Sequence, residues 1–148
     1  MHLLCSMVKI EYPALPFKMK QEAGKESIFD EVRKQWVRLT PEEWVRQNFI
    51  QYLVQVKKYP TAIMAVEKEI MLGELRKRCD IVIYREHKPW MIVECKEMDV
   101  VLNDAVAAQV FRYNMALNVQ YLVVTNGNYT FAMETATRKG LEALPEFA

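Results

Sequence analysis

Apolar residues recur at helical spacing in TPEEWVRQNFIQYLVQV, where Val45, Phe49, Tyr52, Leu53 and Val56 fall on one side of a helix. Thr40 suits its N-cap, Pro41 its first turn, and Glu43 the reciprocal arm of a capping box. Tyr59-Pro60 ends it. LNDAVAAQVFRYNMALN reads as a second helix, capped by Asn103 or Asp104 and ending near Asn118. Between the helices the pattern shifts to strands. TAIMAVEKEIML (61–72) leads into a turn around Gly73, and CDIVIY (79–84) and WMIVECK (90–96) flank REHKP as a hairpin. YLVVTNG (121–127) is nearly all apolar, as a strand buried on both faces would be. YTFAMET reads as a further strand and the tail from Ala136 as a short helix. FKMK (17–20), SIF (27–29) and QWVRL (35–39) form a predicted β-meander, with EAGKE as one turn.

The core order is therefore α-β-β-β-α-β, an α/β (α+β) arrangement with a mixed central sheet flanked by helices. One domain of 148 residues is expected, with residues 1–39 as an N-terminal β extension, 40–127 as the core and 128–148 as a C-terminal strand and helix.

Composition excludes little. A formal net charge of +1 announces neither nucleic acid nor an acidic substrate, so any electrostatic site is local. No apolar run is long enough to span a bilayer, and MHLLCSMV lacks the basic and apolar regions of a signal peptide. Three cysteines (Cys5, Cys79, Cys95) without framework spacing suit a reducing compartment, so the expected location is cytoplasmic, with no membrane partner.

The apolar hairpin strands carry charges that a core does not want. With Tyr84 opposite Trp90, counting back sets Asp80 opposite Glu94, and alternation puts Asp80, Glu94 and Lys96 on one face. Adjacent carboxylates must share a proton, meet a cation or have one pKa raised. Two such oxygen donors suit Mg²⁺ or Mn²⁺ completed by water and phosphate oxygens. Lys96 is placed to stabilise developing negative charge or to assist an attacking water. The pattern is a candidate for metal-assisted phosphodiester hydrolysis. The competing reading leaves Asp80 and Glu94 at strand ends in solvent, with Lys96 paired to Glu94 or Glu97. On the reverse face Cys79 and Cys95 fall opposite each other and read as small buried apolar residues.

D-x13-E-C-K, with apolar strands around both acids, resembles the PD-(D/E)XK nuclease superfamily. From Thr40 to Gly127, TPEEWVRQ, RKRCDIVIY, KPWMIVECK, AAQVFRYN and YLVVTNG resemble, in order, the N-terminal nuclease domain of type I restriction enzyme R subunits. The resemblance implies a restriction-endonuclease-like fold and Mg²⁺-dependent DNA cleavage. It assigns Asp80 and Glu94 to the metal, with the Cys95 carbonyl as a further ligand, and Lys96 to catalysis. Cys79 stands where the motif often has proline. A third acid from the first helix is expected to be Glu42, which points to the sheet, rather than Glu43, given to the capping box; Glu67 is a further candidate. Gln109 and Tyr113 match a Q-x3-Y element and share a helix face, either shaping the site and contacting DNA or lying as a surface pair with a core-edge tyrosine. Arg76, Lys77 and Arg78, with Lys68 and aided by Arg46, Arg112 and Lys88, either guide DNA to the metal or decorate a solvated turn. The chain has no P-loop, so a separate motor or specificity protein is an expected partner beside DNA, and a double-strand cut makes a homodimer plausible. The alternatives are a non-catalytic nucleic-acid-binding or assembly module that keeps the fold, and a structural protein without nucleic acid.

Overall fold

In the computed structural model, residues 7–72 and 74–147 are described; the start of the MHLLCSMV segment, Cys5 and the expected turn at Gly73 lie outside them. Strands β1 (Met19–Glu22), β2 (Lys25–Asp30) and β3 (Gln35–Arg38) form an antiparallel meander, with Ala23-Gly24 as the first turn. Helix α1 (Pro41–Gln55) follows. A second sheet contains β4 (Met64–Leu72), β5 (Leu75–Arg85), β6 (Lys88–Cys95), β7 (Tyr121–Thr125), β8 (Thr130–Glu134) and β9 (Lys139–Gly140), side by side in that order. Helix α2 (Asp104–Asn114) crosses from β6 to β7, which makes that pair parallel while all others are antiparallel. This mixed α+β architecture is consistent with the expected restriction-endonuclease-like core.

The helices cover opposite faces of the large sheet. Val45, Phe49, Ile50 and Leu53 of α1 pack with Ile81, Met91, Val93 and Cys95. Ala107 and Phe111 of α2 pack with Cys79, Val82, Ile92, Leu122 and Val124. β7 sits between the two clusters and is buried along Leu122–Thr125, as its unbroken apolar run implies. Among the described residues no helix is long and apolar enough to cross a membrane.

Five expectations need correction. Thr61–Ile63 is a 3-10 turn after Pro60, so β4 starts only at Met64. REHKP is no five-residue loop: Arg85 pairs with Lys88, and Glu86 and His87 make a two-residue turn with φ of 52° and 65°. Two consecutive left-handed residues give the type I′ geometry that matches strand twist. Tyr84 faces Pro89, not Trp90, because the register shifts between Ile83 and Tyr84. That irregularity restores the counted register further on, where Ile81 faces Val93; the ladder ends there, one residue short of Asp80 and Glu94. Finally, the tail from Ala136 is not helical: β9 pairs with β8, and Leu144 and Phe147 pack onto the α1-side core.

The fifth correction concerns the cysteines. Both are buried, but Cys79 belongs to the α2-side cluster and Cys95 to the α1-side cluster. Residues two apart in a strand normally share a face, yet Cys79 and Ile81 lie on opposite ones. The cause is a local break at Asp80. Val66 pairs with Ile81 and Lys68 with Cys79, while Glu67, at φ 53°, and Asp80 between them are unpaired.

Candidate active site

The break at Asp80 determines how the site is built. Asp80 is released from its ladder, and its carboxylate Oδ2 instead accepts a hydrogen bond of 2.8 Å from the Cys95 N–H. Its other oxygen, Oδ1, accepts at 3.2 Å from Arg46 Nη2. Asp80 is thereby aimed into a polar pocket of about 270 Å³ that Glu94, Lys96, Glu42, Lys77, Arg78 and Asn114 also line. β5 supplies Lys77, Arg78 and Asp80; β6 supplies Glu94, with Lys96 just past its end; α1 supplies Glu42 and α2 supplies Asn114.

Glu94 is held by three groups. Lys96 Nζ lies 2.9 Å from Oε2, Asn114 Nδ2 donates to Oε1 at 3.4 Å, and Lys77 Nζ lies 3.9 Å from Oε1. The hydrogen bond to Glu94 raises the Lys96 pKa against a smaller opposing effect of burial, and nearby Asp80 and Glu42 raise it further. Lys96 is therefore a held ammonium, suited to stabilising negative charge. Asp80 has a raised pKa, chiefly through burial; the Cys95 N–H and Arg46 oppose the rise, and the Glu42 and Glu94 charges add to it. The Cys95 thiol is fully buried and driven strongly upward by desolvation, so its sulfur stays protonated.

Behind this pocket lies a denser ion network. Arg33, at the end of the β2–β3 turn, bonds Asp30 at 2.6 Å and both oxygens of Glu43 at 3.0 Å. Arg46 is 3% exposed and reaches Glu43 at 2.8 Å, Glu42 at 3.0 Å and Glu67 at 3.4 Å, besides Asp80. Gln47 donates to Asp30 and Glu43, and Arg78 meets Glu67 at 2.7 Å. Three guanidinium groups (Arg33, Arg46, Arg78) are thus shared among five carboxylates (Asp30, Glu42, Glu43, Glu67, Asp80). This arrangement corrects the expected capping box. Thr40 Oγ1 does accept from the Glu43 N–H at 3.0 Å, but the Glu43 side chain turns to the two arginines and is buried. Glu42, in contrast, is half-exposed and sits at the pocket mouth. Glu67, the further candidate for the third acid, is tied to Arg33, Arg46 and Arg78 and does not line the pocket.

The basic residues divide. Arg76–Arg78 lie within β5, not in a solvated turn. Lys77 and Arg78 line the pocket, whereas Arg76 faces Glu69 at 3.6 Å and does not. Lys68 lines a different groove, beside Tyr84 and His87, while Lys88 sits by the hairpin turn, six residues from Glu94. Arg112 is exposed on α2 and lines neither pocket near Asp80. Arg46 is buried as a structural tether. Gln109 and Tyr113 do share a face and line an adjoining groove; Tyr113 is 77% exposed, so it is not a core-edge residue.

Asn114 was not anticipated. It continues the buried face of α2 after Ala107 and Phe111, and a polar residue at the end of an apolar helical stripe is the signal that marks it. Its Oδ1 is buried with no partner. Among the described residues no three His, Cys, Asp or Glu side chains converge as a metal cage. Mg²⁺ needs less, because one or two carboxylates suffice when water and phosphate oxygens complete the shell. Asp80 and Glu94 in one polar pocket, with Glu42 at its mouth and the orphaned Asn114 oxygen, form a donor set that fits such an ion.

The family model for the type I restriction enzyme R protein N terminus matches residues 41–147. Among curated proteins nothing matches the chain.

Proposed function

The chain belongs to the family of type I restriction enzyme R protein N termini, and on that premise we propose that it hydrolyses DNA phosphodiester bonds with a divalent metal at Asp80 and Glu94. Membership supports a nuclease-related role in restriction-modification, with DNA and other subunits as partners. The observation that carries the finer reading is the convergence of Asp80, Glu94 and Lys96 on one polar pocket.

Asp80 and Glu94 would hold Mg²⁺ or Mn²⁺. Such an ion polarises a phosphoryl oxygen and lowers the pKa of a bound water. The chain supplies the rest. The Cys95 N–H and Arg46 fix the Asp80 carboxylate in place, so little reorganisation is needed when charge develops. Lys96, kept protonated by Glu94, is placed to neutralise charge building on the phosphate oxygens. Lys77 and Arg78 attract the flanking phosphates. Glu42, at the mouth, is the acid from α1 that can orient a water through its oxygens.

A second reading has one observation behind it: Asp80 and Glu94 are each already ion-paired. On that reading the pocket is closed by its own cations and the chain is a nucleic-acid-binding or assembly module. Incubation with supercoiled plasmid and with single-stranded DNA, in Mg²⁺ and in Mn²⁺, beside Asp80→Ala and Lys96→Ala, separates the two. Metal-dependent cleavage lost in both variants supports the nuclease. Absence of cleavage with retained DNA binding supports the module.

A further inference from the structure

Beside the acid pocket runs a groove of about 430 Å³ whose character is different. Three valines line it, Val100 before α2 and Val106 and Val110 on α2, together with Gln109 and Tyr113 of the same helix. It shares Lys77, Glu94 and Lys96 with the acid pocket, so the two are continuous. Tyr113 stands out of the helix with most of its surface in solvent, and Lys77 Nζ lies 5.1 Å from its ring centroid. The exposed Tyr113 ring thus stands beside the partly buried Val106 and Val110 of the same helix.

We propose that this groove binds one unpaired nucleobase next to the phosphate held in the acid pocket, so that the substrate is single-stranded DNA or a duplex with a locally unpaired nucleotide. The inference rests on the nuclease reading for the position of the phosphate. A nucleotide joins an anionic group to a flat apolar ring, and the surface here joins a cationic and acidic pocket to an apolar slot of ligand size. Lys77 belongs to both parts: its ammonium lies over one face of the Tyr113 ring and 3.9 Å from Glu94 Oε1. Tyr113 offers a stacking face, and the Gln109 amide offers both a donor and an acceptor to a base edge. A paired base inside a stacked duplex presents neither face nor edge to such a slot. The groove therefore discriminates by strand state rather than by sequence, as aromatic platforms on single-strand binders do.

The test is fluorescence anisotropy of a labelled oligonucleotide, as a single strand and as its blunt duplex, in EDTA so that cleavage does not enter. Wild type should bind the single strand more tightly. Tyr113→Ala, at an exposed position, should weaken single-strand binding by about tenfold, the scale of one base stack, and leave the duplex unchanged; Tyr113→Phe should restore it. Equal binding of both forms, or single-strand binding unchanged in Tyr113→Ala, overturns the proposal. The nuclease reading fails separately, on absence of metal-dependent cleavage by wild type, whatever the binding preference.

Discussion

Two clusters of charged side chains lie side by side and have opposite states. In the network of Asp30, Arg33, Glu43, Arg46 and Gln47, the carboxylates bond guanidinium or amide donors and most of the side chains are sealed from water. In the pocket of Glu42, Asp80, Glu94 and Lys96, the charged side chains are all partly exposed, from 20% at Glu94 to 49% at Glu42, and a buried amide oxygen has no partner. Removing one member of a sealed ion cluster leaves an uncompensated buried charge. The open group, by contrast, has room to exchange its present partners for others. Arg46 joins the two clusters, because one guanidinium holds Glu43 on one side and Asp80 on the other. The meander, which precedes the family match, reaches the site through Arg33 and Glu43.

The contrast is broken most sharply by substitutions that separate rate from stability. Asp80→Ala should lower metal-dependent cleavage by about 10³-fold or more, the scale of a preorganised charged group, without lowering Tm, since burial already disfavours the Asp80 charge. Single-turnover cleavage and a thermal melt on the same sample check it. Glu43→Ala should do the reverse. It removes the buried carboxylate shared by Arg33 and Arg46, which keep their other partners, and should cost roughly 3 kcal/mol of unfolding free energy, read by urea denaturation.

A pH series sharpens the comparison. The Asp30 carboxyl is pushed up by burial, but the Arg33 N–H, the Arg33 guanidinium and Gln47 outweigh that, and its net pKa is below 3.8. An acid with a lowered folded pKa stabilises the fold above its unfolded value and loses that contribution as pH falls through the folded one. The stability gap between wild type and Asp30→Asn should therefore be full at neutral pH and shrink below pH 3.8. For Asp80 the shift has the opposite sign: its contribution is fully present below the unfolded pKa and is lost as pH rises through the raised one. The smallest expected effect is at the helix start, where Thr40→Ala removes one cap bond and costs about 1 kcal/mol.

How far the sequence carried this picture depended on whether a feature is periodic. Both helices, the meander and the strands from β4 to β8 follow from period-two and period-3.6 patterns with recognisable caps. Counting along the hairpin sets Asp80 against Glu94; the ladder returns to that count at Ile81 and Val93 because the slip near Tyr84 is local, and both carboxylates line one pocket. What could not be read is aperiodic. The ladder breaks where left-handed Glu67 and Asp80 go unpaired, and Cys79, just past that break, lies on the opposite face from Cys95. Glu43 looked like a capping acid because its real partners, Arg33 and Arg46, meet it only after the meander folds onto α1. The tail carries residues that tolerate a helix, but β8 offers an edge and the α1-side core takes Leu144 and Phe147.

The most direct test of the open pocket is a Mn²⁺ titration followed by electron paramagnetic resonance, on wild type and on Asp80→Asn. Wild type should bind Mn²⁺ weakly, and the variant should lose that binding by about tenfold or more while its melt is unchanged. Equal Mn²⁺ binding by the two proteins would contradict the assignment of Asp80 to the metal, and with it the nuclease site.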